Sequence, residues 1–175
     1  METGRISSTD GNIIFIGMPG CGKSTVGVVL AKSLGYRFVD ADLVIQEREG
    51  RLLSEILEQE GREGFHRAEE QALLSIRAVR TVIATGGSAI YSGRAMEYLR
   101  STGTIIYLRL PFEQIESRLG DLEERGVSLR KGQTLRELYD ERVPLYERYA
   151  DTVFDAEGLD IRQTALAIRA RLLAD

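Results

Sequence analysis

The chain has 175 residues, of which 43% are hydrophobic and 29% are charged, enough for one compact α/β domain with a full core. Its formal net charge of −4 argues against a basic surface for nucleic acid or membranes. The single cysteine, Cys21, excludes an internal disulfide framework and fits a reducing cytoplasm. No stretch reaches the ~20 apolar residues of a membrane span, and the polar residues 1–10, which lack a signal-peptide core, are expected to be flexible.

Five short apolar segments, rich in β-branched or aromatic residues, predict strands at 12–16, 36–40, 81–85, 104–110 and 151–155. Helical spacing follows the first strand at 23–34, which Gly35 ends, and precedes the third strand at 64–79. In the second of these helices the apolar residues share one face: Phe65, Ala68, Ala72, Leu73 and Ile76. Alternating helices and nearly continuous apolar strands predict a five-stranded parallel sheet covered on both faces, a three-layer α/β sandwich.

The last third of the chain is predicted to be mostly helical. The segment 133–150 has helical periodicity, but Pro144 within it predicts either a kink or two abutting helices. The segment 159–174 predicts a helix with Asp160 as its N-cap and a packing stripe of apolar residues, Ile161, Leu166, Ile168 and Leu172. Because no internal repeat or low-complexity linker interrupts the sequence, residues 1–175 are expected to form a single domain.

A glycine-rich stretch, GMPGCGKSTVG at 17–27, lies between the first predicted strand and the first predicted helix. Gly17, Gly22, Lys23 and Ser24 fit the pattern G-x-x-x-x-G-K-[ST] in the strand-to-helix context that this phosphate-binding motif needs. Backbone N–H groups would surround an anion, while Lys23 neutralises β/γ-phosphate oxygens and Ser24 holds magnesium. The alternative is a glycine-rich turn with a chance lysine. Cys21 is interpreted as a variable loop position rather than a nucleophile, because no nearby residue could act as its base.

A kinase, an NTP-hydrolysing switch and a nucleotide-binding regulator can all carry such a loop. The residues that would bind a phosphoryl acceptor, here called the acceptor side, must therefore distinguish these classes. Asp40 and Asp42 stand two residues apart at the end of the second predicted strand, where an extended backbone would point both carboxylates toward the ligand-binding edge of the sheet. One carboxylate near a metal ion and one near an acceptor hydroxyl would suit phosphoryl transfer. The alternative is a helix N-cap at Asp42 with a solvent-exposed Asp40.

Further motifs follow in chain order: GREGFHRAEEQALL at 61–74, ATGGSAI at 84–90, RG at 125–126 and ERVPLYERYAD at 141–151. After a P-loop and D-x-D, the succession F-x-x-x-E, T-G-G and R-x-P-L-Y resembles the shikimate kinase family over roughly residues 12–173. The resemblance implies a P-loop NTPase fold with a small mobile lid at about 115–132, and phosphorylation of the 3-hydroxyl of shikimate by ATP with Mg²⁺. It also implies a cytoplasmic, monomeric enzyme of aromatic amino acid biosynthesis that binds neither nucleic acid nor membrane.

Carried over residue by residue, the resemblance assigns roles on the acceptor side. Asp42 would be the catalytic partner of the acceptor hydroxyl, and Asp40 an outer-sphere magnesium residue. Gly86 and Gly87 would bring backbone N–H groups to the acceptor at a place where a side chain would block its approach. Arg142, in ERVPLY, would grip the carboxylate of the acceptor, a task that suits a planar guanidinium.

On the nucleotide side, the resemblance implies that Arg125 reaches the transferring phosphoryl group from the lid and that Arg118 lies against adenine. For each of these arginines, and for Arg142, the alternative is a solvent-exposed surface cation. Lys23, Asp42 and Arg125 would thus form the catalytic set. The P-loop residues expected to bind ATP are Gly20, Cys21, Gly22, Lys23, Ser24 and Thr25.

Some residues of the acceptor side depart from the family pattern. His66 stands where the family has an arginine that helps to bind the shikimate carboxylate, and Arg67 is turned ~100° away by one helical step. A neutral imidazole offers at most one donor, whereas a guanidinium offers five and a permanent charge. Ser88 follows Gly86 and Gly87 where the family has a third glycine, and adds a hydroxyl to the predicted pocket. The lid reads RGVSL at 125–129, where the family usually has arginine followed by proline.

These departures leave the acceptor open. Shikimate is the leading acceptor, and another small hydroxy acid, an amino alcohol such as homoserine, or a polyol is the first alternative. A non-catalytic nucleotide-binding regulator is the second, but Asp42, Arg125 and Arg142 count against it because a sensor needs no acceptor site. His66 is expected to alter specificity within the acceptor pocket, with an ordinary polar helix position as the alternative. No second histidine supports a metal-ligand role for it.

Overall fold

The computed structural model describes residues 11–119 and 127–174 of the chain. Within them, parallel strands form one five-stranded sheet in the order β2-β3-β1-β4-β5. The strands are β1 Asn12–Ile16, β2 Arg37–Asp40, β3 Thr81–Ala84, β4 Gly103–Arg109 and β5 Thr152–Asp155. The helices are α1 Lys23–Leu34, α2 Ala41–Glu49, α3 Leu53–Ser75, α4 Gly93–Thr102, α5 Phe112–Arg118, α6 Leu135–Tyr149 and α7 Ile161–Leu173, with a short 3₁₀-helix at Ala89–Tyr91. The predicted α/β sandwich is confirmed.

Strand β1 lies at the centre of the sheet, between β3 and β4. In this register Ile14 is opposite Ile83 of β3 and Ile105 of β4. These three side chains are at most 1% exposed, and every residue of β1 is buried. Burial on both faces of the sheet explains why the strand has a continuous apolar sequence. Because parallel strands end at the same edge, the loops that follow β1, β2 and β3 meet there.

Helix α3 is longer than the sequence predicts. The predicted segment 64–79 overlaps its second part, but α3 begins eleven residues before that segment, at Leu53, and ends at Ser75, four residues before the predicted end. Gly61, with φ 69° and ψ −174°, interrupts the helical backbone and separates the two parts. Ile76 lies just beyond the end of the helix, but the residues of the predicted apolar face are all buried: Phe65, Ala68, Ala72, Leu73 and Ile76. Gly61 therefore lets α3 change direction before this face packs against the core.

Helix α6 is continuous from Leu135 to Tyr149, so the prediction of two helices around Pro144 is wrong. The missing N–H of proline removes one intrahelical hydrogen bond, but other contacts keep the helix intact. Leu138, Arg142 and Tyr146, spaced four residues apart, form its buried face. At its start, the Thr134 hydroxyl accepts a hydrogen bond from the Glu137 N–H within a capping box. The packing of this buried face and the cap at Thr134 thus stabilise the helix enough to offset the hydrogen bond that Pro144 removes.

Helix α7 begins as predicted, with the Asp160 carboxylate accepting a hydrogen bond from the Gln163 N–H. The predicted packing stripe is only partly correct, because Ile161 and Leu166 are 44% and 45% exposed. Ile168 is buried as predicted and Leu172 is partly buried, whereas Thr164 and Ala165 are buried although the predicted stripe omits them. This helix packs against α1. Small residues on the contact face allow two helices to approach closely, which apolar periodicity alone does not reveal.

Candidate active site

The glycine-rich loop joins β1 to α1 and has the backbone conformation that the motif predicts. Gly17, Gly20 and Gly22 have φ values of 148°, 78° and 99°, in a region that residues with a side chain rarely adopt. Gly22 is the N-cap of α1 and has no side chain there to cap the helix. The free N–H groups at the start of α1 therefore remain available for an anion.

Lys23 lies at the first position of α1 and is only 7% exposed. Its Nζ donates hydrogen bonds to the backbone oxygens of Gly17, at 2.7 Å, and Met18, at 2.8 Å. The ammonium group is thus held against the loop that would surround a phosphate. Cys21 is 2% exposed, and its Sγ lies 3.7 Å from Nζ. Burial favours the interpretation of Cys21 as a loop-filling residue.

Asp40 connects the start of α1 to the start of α2. Its Oδ2 accepts a hydrogen bond from the Ser24 hydroxyl at 2.6 Å, and its Oδ1 accepts one from the Asp42 N–H at 2.9 Å. Asp40 is therefore the N-cap of α2, and Asp42 lies in the first helical turn. Both sequence interpretations of this pair are wrong in geometry, because the backbone leaves the extended conformation after Asp40 and because Asp42 is not the cap.

Oxygen atoms of Ser24 and Asp40 offer the hard ligands that Mg²⁺ prefers. The described residues contain no group of three or more His, Cys, Asp or Glu side chains that could hold a metal ion. A magnesium ion at Ser24 would therefore need phosphate oxygens and water to complete its coordination, as is usual for this ion in phosphoryl-transfer sites. The donor set fits magnesium bound together with a nucleotide.

A cavity of about 410 Å³ opens beside the loop, at the edge where β1, β2 and β3 end. It brings together nine of the predicted site residues, namely Gly20, Gly22, Lys23, Ser24, Thr25, Asp42, Gly86, Gly87 and Arg142. Cys21, Asp40, His66 and Arg118 are absent from its lining. Arg125, with residues 120–126 of the predicted lid, lies outside the described residues. The phosphate-binding and acceptor halves of the predicted site thus share one cavity.

Gly86 and Gly87 occupy positions where any side chain would collide with the site. A Cβ on Gly86 would lie 2.5 Å from Oε1 of Glu69 and 3.0 Å from Oδ1 of Asp42. A Cβ on Gly87 would lie 2.8 Å from Nη1 of Arg142 and 2.7 Å from Cδ of Pro19. A side chain at either position would therefore displace the carboxylates, the guanidinium or Pro19 from their places beside the backbone.

Burial and, to a lesser extent, the negative charge of Asp40 raise the pKa of Asp42 to about 6, while Lys23 opposes the change. The charged form of a carboxyl is disfavoured where water is excluded and another anion is close. A pKa near neutrality suits a group that accepts a proton from a hydroxyl during transfer.

Glu69 is a residue of the site to which the sequence assigns no role. It is 2% exposed, and burial raises its pKa to about 7, although a hydrogen bond from Ser88 lowers it. The Ser88 hydroxyl donates to Oε2 at 2.5 Å, whereas Oε1 has no hydrogen-bond partner among the described residues. The F-x-x-x-E spacing from Phe65 marks Glu69 in the sequence but says nothing of what it contacts.

Arg142 brings a positive charge into the same cavity. It is 1% exposed and forms no ion pair with a carboxylate of the described residues. Its Nε donates to the Tyr91 hydroxyl at 3.3 Å, and its Nη2 donates to the backbone oxygen of Ser128 at 3.4 Å. A buried cation with only neutral hydrogen-bond partners is costly, and an anionic ligand would offset that cost.

His66 lies behind the main cavity, beside a smaller one of about 160 Å³. Its Nε2 is 2.8 Å from the hydroxyl of Ser128, which lines the main cavity, and its ring stacks on Tyr91 with 5.1 Å between centroids. Burial lowers its pKa to about 4, and the charges of Arg62 and Arg142 act in the same direction. The imidazole is therefore neutral near pH 7, and a role for it in specificity stays a prediction.

Arg118, the last residue of α5, lies beside the phosphate-binding loop. Its Nη1 is 3.4 Å from the backbone oxygen of Gly20. The side chain is exposed, which leaves its guanidinium accessible next to the loop. This position is compatible with the predicted contact to adenine, which stays a prediction.

Comparison with known proteins identifies relatives of the chain. The family model of shikimate kinase matches residues 19–173. Shikimate kinase 2 of Yersinia enterocolitica is 38% identical over 149 residues, which cover 82% of this chain and 86% of that protein. A shikimate kinase from Acinetobacter baumannii, solved in complex with shikimate, superposes with a TM-score of 0.80 at 32% identity and covers 95% of this chain and 94% of that one.

The crystal structure of shikimate kinase from Aquifex aeolicus is similar as well. It gives a TM-score of 0.78 at 31% identity, over 93% of this chain and 96% of that one. Sequence and structure thus agree along nearly the whole chain, and the residues that share the cavity are those on which the sequence resemblance rests. This chain belongs to the shikimate kinase family, whose members are small-molecule kinases.

Proposed function

We propose that this chain transfers the γ-phosphoryl group of ATP to the 3-hydroxyl of shikimate. The observation that carries the proposal is the buried Arg142, which shares one cavity with Asp42 and the phosphate-binding loop. An acceptor with both a carboxylate and a hydroxyl would offset the buried positive charge and place its hydroxyl at Asp42. Shikimate has both groups, and the similar protein from Acinetobacter baumannii was solved in complex with it.

The nucleotide half of the mechanism depends on the loop and on Lys23. ATP would lie along the loop, with backbone N–H groups and the Lys23 ammonium group on its β- and γ-phosphates. Ser24 would hold magnesium directly and Asp40 through water, and the ion would supply neutralisation of phosphate charge. We assign Arg125 to the transferring phosphoryl group and Arg118 to the adenine ring on the family resemblance alone.

The acceptor half depends on Asp42 and Arg142. Asp42 would accept a hydrogen bond from the hydroxyl and orient it toward the γ-phosphorus. It would take the proton as the new O–P bond forms and the bond from the γ-phosphorus to the bridging oxygen breaks, with ADP as the leaving group. Arg142 and the N–H groups of Gly86 and Gly87 would fix the rest of the acceptor, which limits the reaction to one hydroxyl. Exclusion of water from the cavity would limit ATP hydrolysis.

A second candidate keeps the reaction and changes the acceptor to another small hydroxy acid. Ser88 adds a hydroxyl to the cavity, and His66 lacks the permanent charge of the arginine that the family has there. Homoserine, which has a carboxylate, would also satisfy Arg142, whereas a neutral polyol would leave its charge unbalanced. A regulator without an acceptor is disfavoured, since it would not need Asp42 and Arg142 in the cavity.

A coupled assay of ADP release, with shikimate, homoserine, other hydroxy acids and polyols as acceptors, tests the proposal. We expect the highest kcat/KM with shikimate and loss of turnover when EDTA removes Mg²⁺. Lys23→Ala serves as the inactive control and should lose at least about 10²-fold in rate. If shikimate does not stimulate ADP release while another acceptor is phosphorylated, the assignment of shikimate as the acceptor is wrong.

We also propose a cytoplasmic monomer without nucleic-acid or membrane partners. None of the helices in the described ranges has the length and apolar character to cross a bilayer. Size-exclusion chromatography with light scattering would measure the mass in solution, and a mass of twice 19.5 kDa would contradict the monomer.

A further inference from the structure

We propose that Glu69, positioned by Ser88, is a specificity-determining residue that accepts a hydrogen bond from an acceptor hydroxyl other than the one that is phosphorylated. This inference rests on the proposed function, since it assumes an acceptor with more than one hydroxyl. It adds a second carboxylate to the acceptor site, beside the one that Asp42 provides.

Oε1 of Glu69 is buried, has no hydrogen-bond partner among the described residues, and belongs to a side chain that lines the main cavity. Leaving a buried carboxylate oxygen without a donor costs free energy, and a hydroxyl of a ligand would supply that donor. None of the described residues donates a hydrogen bond to Oε1.

The carboxylates of Glu69 and Asp42 lie close to each other beside Gly86. Oε1 of Glu69 and Oδ1 of Asp42 both lie within 3.0 Å of the point where a Cβ on Gly86 would be placed. Both oxygens therefore face the same small volume next to a backbone that carries no side chain. Two neighbouring hydroxyls on one ring could each donate to one of these oxygens, whereas a single hydroxyl could satisfy only one of them well.

Ser88 lies beside the carboxyl group of Glu69. Ser88 is 6% exposed, and its hydroxyl donates a buried hydrogen bond to Oε2 of Glu69 at 2.5 Å. This bond fixes the rotation of the carboxyl group, and so it directs Oε1 toward Asp42 and Gly86. Arg142 and Lys23 supply positive charge, and Asp42 negative charge, around the same group. Ser88 is thus a positioning residue for Glu69.

Two deoxy analogues of shikimate, each lacking one of the hydroxyls that are not phosphorylated, test the contact. For one of them, the parent should show a KM about tenfold higher than for shikimate, since a hydrogen bond to a charged group is lost. Glu69→Gln keeps the shape of the side chain. In this variant the KM for the same analogue should differ from the KM for shikimate by less than about threefold. Equal ratios in parent and variant for both analogues would overturn the proposal.

Ser88 variants separate positioning from a structural role. Ser88→Ala should raise the KM for shikimate several-fold with little change in kcat or in the KM for ATP, and Ser88→Thr, which keeps a hydroxyl, should restore much of the loss. Glu70→Gln is the matched control, because Glu70 accepts a hydrogen bond from Ser92 at 2.5 Å outside the main cavity. An unchanged shikimate KM in Ser88→Ala, or the same change in Glu70→Gln, would contradict the proposal.

Activity of the parent with shikimate reports separately on the proposed function. If the parent phosphorylates shikimate and the analogue ratios do not depend on residue 69, the proposed function stands and the role of Glu69 falls. If the parent instead phosphorylates another acceptor, the assignment of shikimate as the acceptor is wrong. The KM ratios are then measured with that acceptor and its deoxy analogues. Dependence of those ratios on residue 69 would then support the role of Glu69, and independence would overturn it.

Discussion

At the scale of single residues, the site concentrates charge around two glycines. Asp42 and Glu69 border Gly86, and Arg142 borders Gly87, so that groups of both signs lie within 3.0 Å of the points where Cβ atoms on these glycines would be placed. Such proximity couples the ionisation of each group to its neighbours. Substitution of one charged residue should therefore change pH dependence as well as rate.

Asp42→Asn should retain ATP binding and lose most turnover, because the amide keeps the shape of the carboxylate and cannot take the proton of the hydroxyl. In the parent, the ionised Asp42 is the active form and its pKa is about 6, so kcat/KM for the acceptor should fall as pH drops below 6. Calorimetric titration with a nonhydrolysable ATP analogue, together with pH–rate profiles, checks both parts. Loss of nucleotide affinity in the variant would mean that Asp42 serves the nucleotide side.

His66→Arg should lower the KM for shikimate about tenfold, since it adds a charge-assisted hydrogen bond near the carboxylate held by Arg142. The new side chain must leave the contact with Ser128 and the stacking on Tyr91, which opposes part of the gain. His66→Asn is the control, because it keeps a neutral polar group and should not tighten binding. If shikimate is used efficiently by the parent and His66→Arg changes nothing, His66 lies outside the acceptor site.

Several residues of the site could be predicted from the sequence because their signal is local. The loop from Gly17 to Ser24 is defined by glycines and a lysine that are consecutive or nearly so in the chain. The position of Glu69 could not be derived in this way, since its partner Ser88 lies 19 residues further on. The same holds for Asp40, whose conformation depends on Ser24 of a different helix, 16 residues earlier.

At the scale of elements, the strands were predictable within about one residue at each end, because β1, β3 and β4 are apolar on both faces. The ends of the helices, and whether a helix is continuous, were less predictable from the sequence. The break at Gly61 depends on where the second part of α3 packs, and the continuity of α6 through Pro144 depends on its buried face. Neither kind of contact is visible in the periodicity of one segment.

Gly103, the first residue of β4, offers a test of how β1 is held in register. It pairs with Asn12, and a Cβ on Gly103 would overlap the backbone of Asn12 rather than a movable side chain. Gly103→Ala should therefore lower the free energy of unfolding by about 2 kcal/mol or more, as overpacking does in a rigid setting. Urea unfolding of both proteins measures the difference.

Gly11→Ala provides the control for that substitution. A Cβ on Gly11 would meet the Cα of Gly103 at 3.5 Å, which is an ordinary contact. We expect a change below about 0.5 kcal/mol there. Equal losses in Gly11→Ala and Gly103→Ala would argue against steric overlap at the β1–β4 pair as the cause.

At the scale of the whole molecule, the site costs stability near neutral pH. The pKa of Glu69 is raised by burial to about 7, so between pH 4.5 and 7 the folded state binds more protons than the unfolded state. The free energy of unfolding must then decrease as pH rises through that window. The pKa of His66 is lowered to about 4, and it contributes the opposite slope between about pH 4 and 6.5.

Glu69→Gln removes one of these contributions and leaves that of His66 in place. Relative to the parent, the variant should gain on the order of 1–3 kcal/mol in unfolding free energy as pH rises from about 4.5 to 8. Thermal and urea unfolding at several pH values measure this difference. A difference that stays constant with pH would show that Glu69 ionises in the folded protein as easily as in the unfolded chain.

The unbalanced charge of Arg142 has a consequence for the discovery of inhibitors. A neutral molecule that fills the cavity of about 410 Å³ by shape alone would remove water from the guanidinium without providing a counter-charge. Its affinity would be reduced by that desolvation, however well its surface matched the walls. Compound libraries for this pocket should therefore be ranked first by the presence of an acidic group and its reach to Arg142, and only then by size and apolar fit.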